Sequence, residues 1–116
     1  NDMIIRLEEI PQSVLPAFKG GEKEFRANMH FDGRNRMFKG CLVPGSSIGV
    51  HTHDDSCETI FIISGAGTIL EIENGVESVR PVKAGDCLFC DKGQTHSLRN
   101  TSEAEDLVFY ASVIQM

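Results

Sequence analysis

The sequence lacks long apolar segments and an excess of positive charge, and each absence excludes a class of protein. No apolar run in its 116 residues approaches the roughly 20 residues that a membrane-spanning helix needs. Eleven lysines and arginines stand against 17 aspartates and glutamates, for a formal net charge of -6. A nucleic-acid groove or a charged membrane surface is bound by a basic face, which this balance does not supply. We therefore expect neither a nucleic-acid nor a membrane partner.

The patterns of secretion and of structural zinc are also missing. Residues 1–12 contain acidic side chains and no long apolar core, unlike a secretory signal, so we expect a cytoplasmic protein. Cys87 and Cys90 form one CxxC, but residues three apart on a strand point to opposite faces, and no second CxxC exists to complete a zinc site. We interpret the cysteines as buried, reduced thiols that pack as small apolar side chains. Cys57, next to Glu58, is the candidate for a reactive thiol.

Helix signals are scarce, and the chain reads as many short strands. Residues 7–19 carry two prolines, which leaves room for at most one short helical turn. From residue 25 onward, β-branched or aromatic runs are separated by Gly, Pro, Asn and Asp, a pattern typical of an all-β sandwich or barrel. Asn74 and Gly75 between two such runs predict a two-residue type I′ hairpin.

The length suits one compact domain over residues 1–116. Residues 1–24 would form an N-terminal extension of that domain. Its first apolar run, residues 3–7, could supply an added edge strand and could pair with a partner subunit.

The strongest chemical pattern lies in residues 45–65. His51 and His53 stand two residues apart, so on a strand both side chains face the same side. A turn after His53 reverses the chain and would bring Glu58 to join them. The alternative is that these are ordinary polar residues near a turn that satisfy one another.

A fourth ligand would come from one of the two other histidines. His96, after a glycine-containing turn, is the better candidate, whereas we interpret His30 as a surface or supporting residue. Three neutral imidazoles and one carboxylate suit a divalent first-row metal, and the carboxylate favours Mn(II), Fe(II) or Ni(II) over a closed zinc site. Zinc could still occupy the site after purification, because its affinity for such ligands is high.

Two segments resemble the motifs of the cupin superfamily. Residues 45–65 fit motif 1, G-x5-HxH-x4-E-x6-G, and residues 85–100 resemble motif 2, G-x5-PxG-x2-H-x3-N. Asp91 replaces the usual proline, a change that affects the rigidity of the turn rather than ligation. The resemblance implies an all-β, double-stranded β-helix (jelly-roll) barrel and a homodimer. The metal ligands that it implies are His51, His53, Glu58 and His96.

The cupin fold hosts several enzyme classes as well as binding modules, so the resemblance leaves the reaction open. Our first hypothesis is a metalloenzyme acting on a small organic acid or sugar-like metabolite, as an oxygenase, decarboxylase or isomerase. Glu58 would be a ligand that could leave the metal and act as a catalytic base. The second is a non-catalytic binding or sensing module, since within the motifs we find no additional candidate for an acid–base residue and none for an arginine that would bind a carboxylate beside the ligands. The third is a metal that chiefly stabilises the fold.

Other residues carry weaker functional interpretations. The apolar residues expected to share the ligand-bearing face, as pocket wall or as core, are Ile60, Ile62, Leu98 and Phe109. Asn100 is expected to have a structural role in its turn. The nearby cations that could pair with a substrate carboxylate are Arg36, Lys39 and Arg99. For each of these cations we favour a solvated surface position, and strand alternation points Arg99 away from His96.

Overall fold

The computed structural model describes residues 3–116, which fold into ten β-strands and two short 3-10 turns. The turns are Leu7–Glu9 and Phe18–Gly20. The strands are β1 (Ser13–Pro16), β2 (Glu24–Phe31), β3 (Asn35–Leu42), β4 (Ser47–Thr52), β5 (Ser56–Ser64), β6 (Ala66–Glu73), β7 (Val76–Lys83), β8 (Cys87–Cys90), β9 (Thr95–Asn100) and β10 (Leu107–Gln115). Between residues 3 and 116, no helix has the length and apolar character to cross a membrane.

The strands form two antiparallel sheets. One has six strands in the order β1-β2-β3-β10-β5-β8, and the other has four in the order β4-β9-β6-β7. Some strands that follow each other in the chain, such as β4 and β5, lie in different sheets, whereas β2 and β3, and β6 and β7, are neighbours in one sheet. This arrangement confirms the predicted all-β jelly-roll architecture.

Two turn predictions from the sequence can be compared with the structure, the hairpin at Asn74 and Gly75 and the short helical turn within residues 7–19. Asn74 and Gly75 have φ angles of 52° and 74° and join β6 to β7 directly, which confirms the predicted type I′ hairpin. The stretch 7–19, expected to hold at most one turn, contains one complete 3-10 turn and the start of a second. The second begins two residues after Pro16, where that proline no longer restricts the backbone.

The N-terminal extension contributes a strand at a place that the sequence did not reveal. One of the two edge strands of the larger sheet is Ser13–Pro16, where Pro16 is tolerated because an edge strand has one side without a neighbour in the sheet. Within the described residues 3–7, no strand forms. Pairing of the extension with a partner subunit stays a prediction, and its residues 1 and 2 lie outside the described part of the chain.

An aromatic cluster fills one end of the space between the sheets. Phe25, Phe38 and Phe109 are buried, and Phe109 lies 6.0 Å from Phe25 and 6.3 Å from Phe38, measured between ring centroids. Gly40 lies against this cluster, and a Cβ atom there would overlap the Phe109 ring. Burial of a large apolar side chain stabilises the fold by about 1.5–3 kcal/mol, so this end is the stabilising core.

Candidate metal site

The four predicted ligands come from both sheets and converge between them. His51 on β4 is the register partner of His96 on β9, in the four-stranded sheet. His53 follows directly after β4, and Glu58 lies on β5 in the six-stranded sheet. The turn between β4 and β5 carries the chain from one sheet to the other. The four side chains therefore meet where the two sheets face each other.

A register break in β4 sets the direction of the first histidine. The pairing of β4 with β9 shifts between Ile48 and His51, as in a β-bulge. Ile48 and His51 are three residues apart, so strict alternation would place them on opposite faces, yet both line the same cavity. The break thus allows an apolar wall residue and an imidazole to face the interior from one short strand.

The ligand atoms lie within 4.8 Å of one another. His96 Nε2 is 3.2 Å from His51 Nε2, 3.2 Å from His53 Nε2 and 3.0 Å from Glu58 Oε1. His53 Nε2 is also 3.2 Å from Glu58 Oε1. All three imidazoles therefore present the same nitrogen, Nε2, to a common centre that they share with the carboxylate.

Hydrogen bonds on the outer side of two imidazoles hold them in place. His51 Nδ1 donates to the carbonyl oxygen of Gly49 at 2.7 Å, and because a carbonyl can only accept, the proton of a neutral His51 must be on Nδ1. His53 Nδ1 is 2.8 Å from the hydroxyl of Ser56. Such outer partners orient ligating histidines, and at His51 the bond leaves a lone pair on Nε2 for a metal.

The electrostatics of the cluster suit a bound cation. Burial lowers the pKa of His51, which favours the neutral ring that a metal needs. Burial by itself raises the pKa of Glu58, but hydrogen bonds from His53 and His96 outweigh it and lower this pKa to about 2. An ionised carboxylate therefore lies at about hydrogen-bond distance from the Nε2 atoms of His53 and His96. The donor set, three imidazoles and one carboxylate, fits a divalent first-row ion.

A cavity of about 610 Å³ adjoins this cluster. Its apolar lining consists of Leu15, Phe18, Phe25, Met29, Phe38, Ile48, Ile60, Leu98 and Val113. Of the apolar residues expected on the ligand-bearing face, Ile60 and Leu98 line this cavity, whereas Ile62 and Phe109 are buried in the core. The size and apolar walls are those of a small-molecule site.

The three predicted cations lie in different environments. Arg36 lines the cavity, in contrast to the surface position that we favoured, because β3 turns the same face inward at Arg36, Phe38 and Gly40. Lys39 lies on the opposite face and pairs with Glu8 at 3.0 Å. Arg99 is exposed and points away from His96, as alternation along β9 predicts.

The remaining singled-out residues lie outside the ligand cluster. His30, on β2, is the register partner of Met37 and does not join the four residues. Asn100 is buried, and its Nδ2 donates to the carbonyl oxygens of Leu42 and Glu105 at 2.8 Å each, which agrees with the structural role expected of it.

All four cysteines lie within the described residues, and all are free thiols. Cys87 is exposed and Cys90 is buried, as expected for opposite faces of one strand, but the expectation that the cysteines are buried was wrong for Cys87, which lies on the outer face of β8. Burial, followed by the nearby charge of Glu58, raises the pKa of Cys90 to about 12, so this thiol is unreactive at neutral pH. Cys57 is half-buried.

Two residues of the site were missed in the sequence. Ser56 supports His53 across the β4–β5 turn, where neither strand alternation nor helical spacing applies. The only sequence signal for Ser56 is weak: it is a hydroxyl residue three positions after the proposed ligand His53, at the end of a turn. Gly49 acts through its backbone carbonyl, for which the residue type gives no signal.

Comparison with known proteins identifies a family. Residues 38–113 match the family model Cupin_2, described as a cupin domain. The chain is 35% identical over 120 residues to the protein named oxalate-binding protein from Thermotoga maritima, with 97% of this chain and 93% of that protein covered.

Solved structures give the same result. The crystal structure of a predicted oxalate decarboxylase from Thermotoga maritima has a TM-score of 0.84 and 32% identity, and covers 98% of this chain and 100% of that chain. A conserved protein with a double-stranded β-helix domain from Klebsiella pneumoniae has a TM-score of 0.71, with 97% of this chain and 84% of that chain covered. At 23% identity, this second likeness concerns the fold alone.

Proposed function

The chain belongs to the cupin family, and from this premise we propose that it binds one divalent metal ion and uses it to hold a small organic acid. The proposed ligands are His51, His53, Glu58 and His96. The observation that carries the proposal is the convergence of three Nε2 atoms and one carboxylate, all within 4.8 Å, beside an apolar cavity. The similarity to a protein named for binding oxalate supports a carboxylic acid as the ligand class.

The residues around the centre have separate tasks. Gly49 and Ser56 hold two imidazoles in the orientation that ligation requires. Glu58 contributes the negative charge that offsets part of the charge of a divalent cation. The apolar walls limit the access of water to the ligand. A bound ion would supply Lewis-acid chemistry, polarising an oxygen of the organic acid.

Manganese, iron and nickel are the ions that we propose, because an oxygen ligand beside three imidazoles suits their octahedral coordination. Zinc is the ion that could replace them during purification. As for catalysis, Glu58 lies within the ligand cluster, so the role of ligand is better supported than the role of proton acceptor.

Binding without turnover is the second candidate function. Apart from the four proposed ligands, the titratable side chains that line the cavity in the described part of the chain are Lys19, Arg36, Asp54 and Asp55. Asp54 and Asp55 are exposed in the β4–β5 turn. No further buried acid–base group is therefore available within residues 3–116 at this cavity, which favours a binding module over an enzyme that needs one.

Elemental analysis of protein purified without a chelator or a metal-affinity tag tests the proposal. We expect about one equivalent of manganese, iron or nickel in the wild type and its loss in His96→Ala, because that variant lacks one of four ligands. His30→Ala is the matched control, since His30 lies outside the cluster, and it should keep the metal. Absence of metal from the wild type after reconstitution, or metal retained in His96→Ala, would contradict the proposal.

Two further measurements on the metal-loaded protein separate the candidate functions. Calorimetric titration with oxalate measures binding, and an assay of oxalate consumption with and without oxygen measures turnover. Tight binding without consumption would make the protein a binding module. Consumption that requires the metal would make it an enzyme.

The homodimer that the cupin resemblance implies is also part of the proposal. Phe61, Ile63 and Phe89 are about half exposed on the outer face of the six-stranded sheet, and a second copy of the chain would bury them. The molar mass in solution, from light scattering, tests this. A cytoplasmic location and the absence of nucleic-acid and membrane partners stay predictions from the charge and hydropathy of the sequence.

A further inference from the structure

Arg36 lies in the same row of the inner sheet face as the proposed ligand Glu58. Val113 on β10 is the register partner of Arg36 on β3 and of Glu58 on β5. Register partners in a sheet point to the same face, and neighbouring strands lie about 4.8 Å apart, so the Cα atoms of Arg36 and Glu58 are about 10 Å apart. Both side chains line the same cavity, with the apolar side chain of Val113 between them.

The guanidinium of Arg36 has most of its hydrogen-bonding capacity left. Its Nη1 donates to the Met29 sulfur at 2.9 Å, and its Cζ lies 4.1 Å from the centre of the Phe31 ring. Thioether sulfur is a weak acceptor, and stacking on an aromatic ring leaves the N–H groups at the edge of the guanidinium available. Within residues 3–116, Arg36 forms no ion pair, whereas Arg26 and Arg80 each have a glutamate partner.

The charges around the cavity favour one orientation for an anionic ligand. The carboxylates Asp54 and Asp55 lie in the turn beside the histidines, and repel a negative group there. Arg36 lies two strands away from Glu58, at the far end of the row that contains Val113. Lys19, the other cation among the described residues that line the cavity, is exposed on the second 3-10 turn. A ligand with one carboxylate at the cluster would therefore turn a second anionic group toward Arg36.

The size of the cavity is consistent with such a ligand. At about 610 Å³ it has room for a ligand larger than a two-carbon diacid, within the range of ordinary ligand pockets. We propose that Arg36 is a specificity-determining residue that pairs with the second anionic group of a small dicarboxylic acid, whose spacer packs against Val113. The inference rests on the proposed metal-dependent binding of an organic acid and names the substrate class for that site.

Calorimetric titration of manganese-loaded protein with matched acids tests this inference. The probes are the dicarboxylates oxalate, malonate, succinate and glutarate, each compared with the monocarboxylate of the same chain length. In the wild type, at least one dicarboxylate should bind more tightly than its matched monocarboxylate. In Arg36→Gln, the affinity for that dicarboxylate should fall about 10- to 100-fold, because a hydrogen-bonded charge partner is lost. The affinity for the monocarboxylate and the manganese content should not change.

Two further variants complete the comparison. Arg34→Gln removes an equal charge from an exposed turn and should leave every affinity unchanged. Arg36→Lys keeps the charge but loses the planar fork, so it should retain part of the preference for the dicarboxylate. If Arg36→Gln fails to fold, the lysine variant replaces it, with a smaller loss expected for the dicarboxylate alone.

The outcomes separate this inference from the proposed function. An equal loss for both acids in Arg36→Gln or Arg36→Lys would assign Arg36 a structural role and overturn the inference. Equal affinities of the wild type for each dicarboxylate and its matched monocarboxylate would also overturn it. If the wild type still bound manganese and the acids in that case, the proposed function would stand. A wild type that binds no manganese would remove the proposed function and this inference with it.

Discussion

The inner face of β3, β10 and β5 differs between its two ends, although the same three strands build both. At one end, Leu42 and Phe109 are fully buried in an apolar core. At the other end, Arg36 and Glu58 line a cavity of about 610 Å³. Strand alternation directs all four side chains inward, so alternation alone does not distinguish the two ends.

The difference comes from what lies opposite each end. At the closed end, Phe25 of β2 stacks on Phe109 with the ring centroids 6.0 Å apart, and both rings are buried. At the open end, the β4–β5 turn brings His53 and Ser56 over the sheet, and polar groups there find partners in one another. The closed end supplies the stability that allows the open end to keep a cavity and a buried carboxylate, both of which cost free energy.

Truncation at the closed end should give the largest effect. Phe109→Ala removes a fully buried ring from the aromatic cluster and should lower the free energy of unfolding by about 3–5 kcal/mol, measured by urea denaturation. Val79→Ala on β7, where the side chain is 57% exposed, is the control and should lose much less. If the two ends are independent, folded Phe109→Ala still binds one metal ion. A complete loss of metal from the folded variant would show that the two ends are coupled.

A change at the open end should affect the metal more than the fold. Ser56→Ala removes the hydroxyl that holds His53 and should weaken metal affinity about 10- to 100-fold, measured by competition with a chelator. Ser46→Ala is the matched control, because the buried Ser46 hydroxyl has no hydrogen-bond partner in the described part of the chain. Its removal should leave metal affinity unchanged and should not destabilise the protein. Equal metal affinities in the two variants would argue against a supporting role for Ser56.

The smallest effect is expected in the exposed turn between β2 and β3, beyond the open end. Asp32 accepts hydrogen bonds from the backbone N–H groups of Asn35 and Arg34, at 2.7 and 2.9 Å, which lower its pKa to about 2. Because the folded-state pKa lies below the ordinary value of about 3.9, this stabilisation is present above about pH 4 and is lost as the pH falls toward 2.

Urea unfolding between pH 6 and pH 2.5 measures this contribution. The difference in unfolding free energy between the wild type and Asp32→Ala should shrink as the pH falls through this window. Glu103→Ala is the control, since Glu103 is exposed and has no hydrogen bond or ion pair within residues 3–116, and its difference should stay near zero. A difference for Asp32→Ala that is constant with pH would mean that the charge of Asp32 does not contribute.

Much of the candidate site was predictable because its signals are local. His51 and His53 share a face through strand alternation, and the short turn that follows brings Glu58 within reach. His96 came from a motif that forms its own glycine turn and strand. The structure joins this second segment to the first through the pairing of β4 with β9, which neither segment determines alone.

Arg36 shows where sequence patterns were insufficient. Its position between Asn35 and Met37, after an exposed turn, is typical of a surface residue. The register of β3 with β10 and of β10 with β5 decides that it faces the same cavity as Glu58. That register depends on strands more than 50 residues apart in the chain, as Arg36 and its partner Val113 are.

By itself, the sequence determined the elements and chemistry that depend on neighbouring residues: short strands, the Asn74–Gly75 hairpin, and the identity of three imidazoles and a carboxylate. The tertiary structure decided which of these groups meet and what supports them. The β4 register break that directs His51 inward, the hydroxyl of Ser56 under His53 and the inner position of Arg36 all depend on pairing between or across sheets. The physical reason is that a strand specifies two faces, whereas only its partners decide which face lines the cavity.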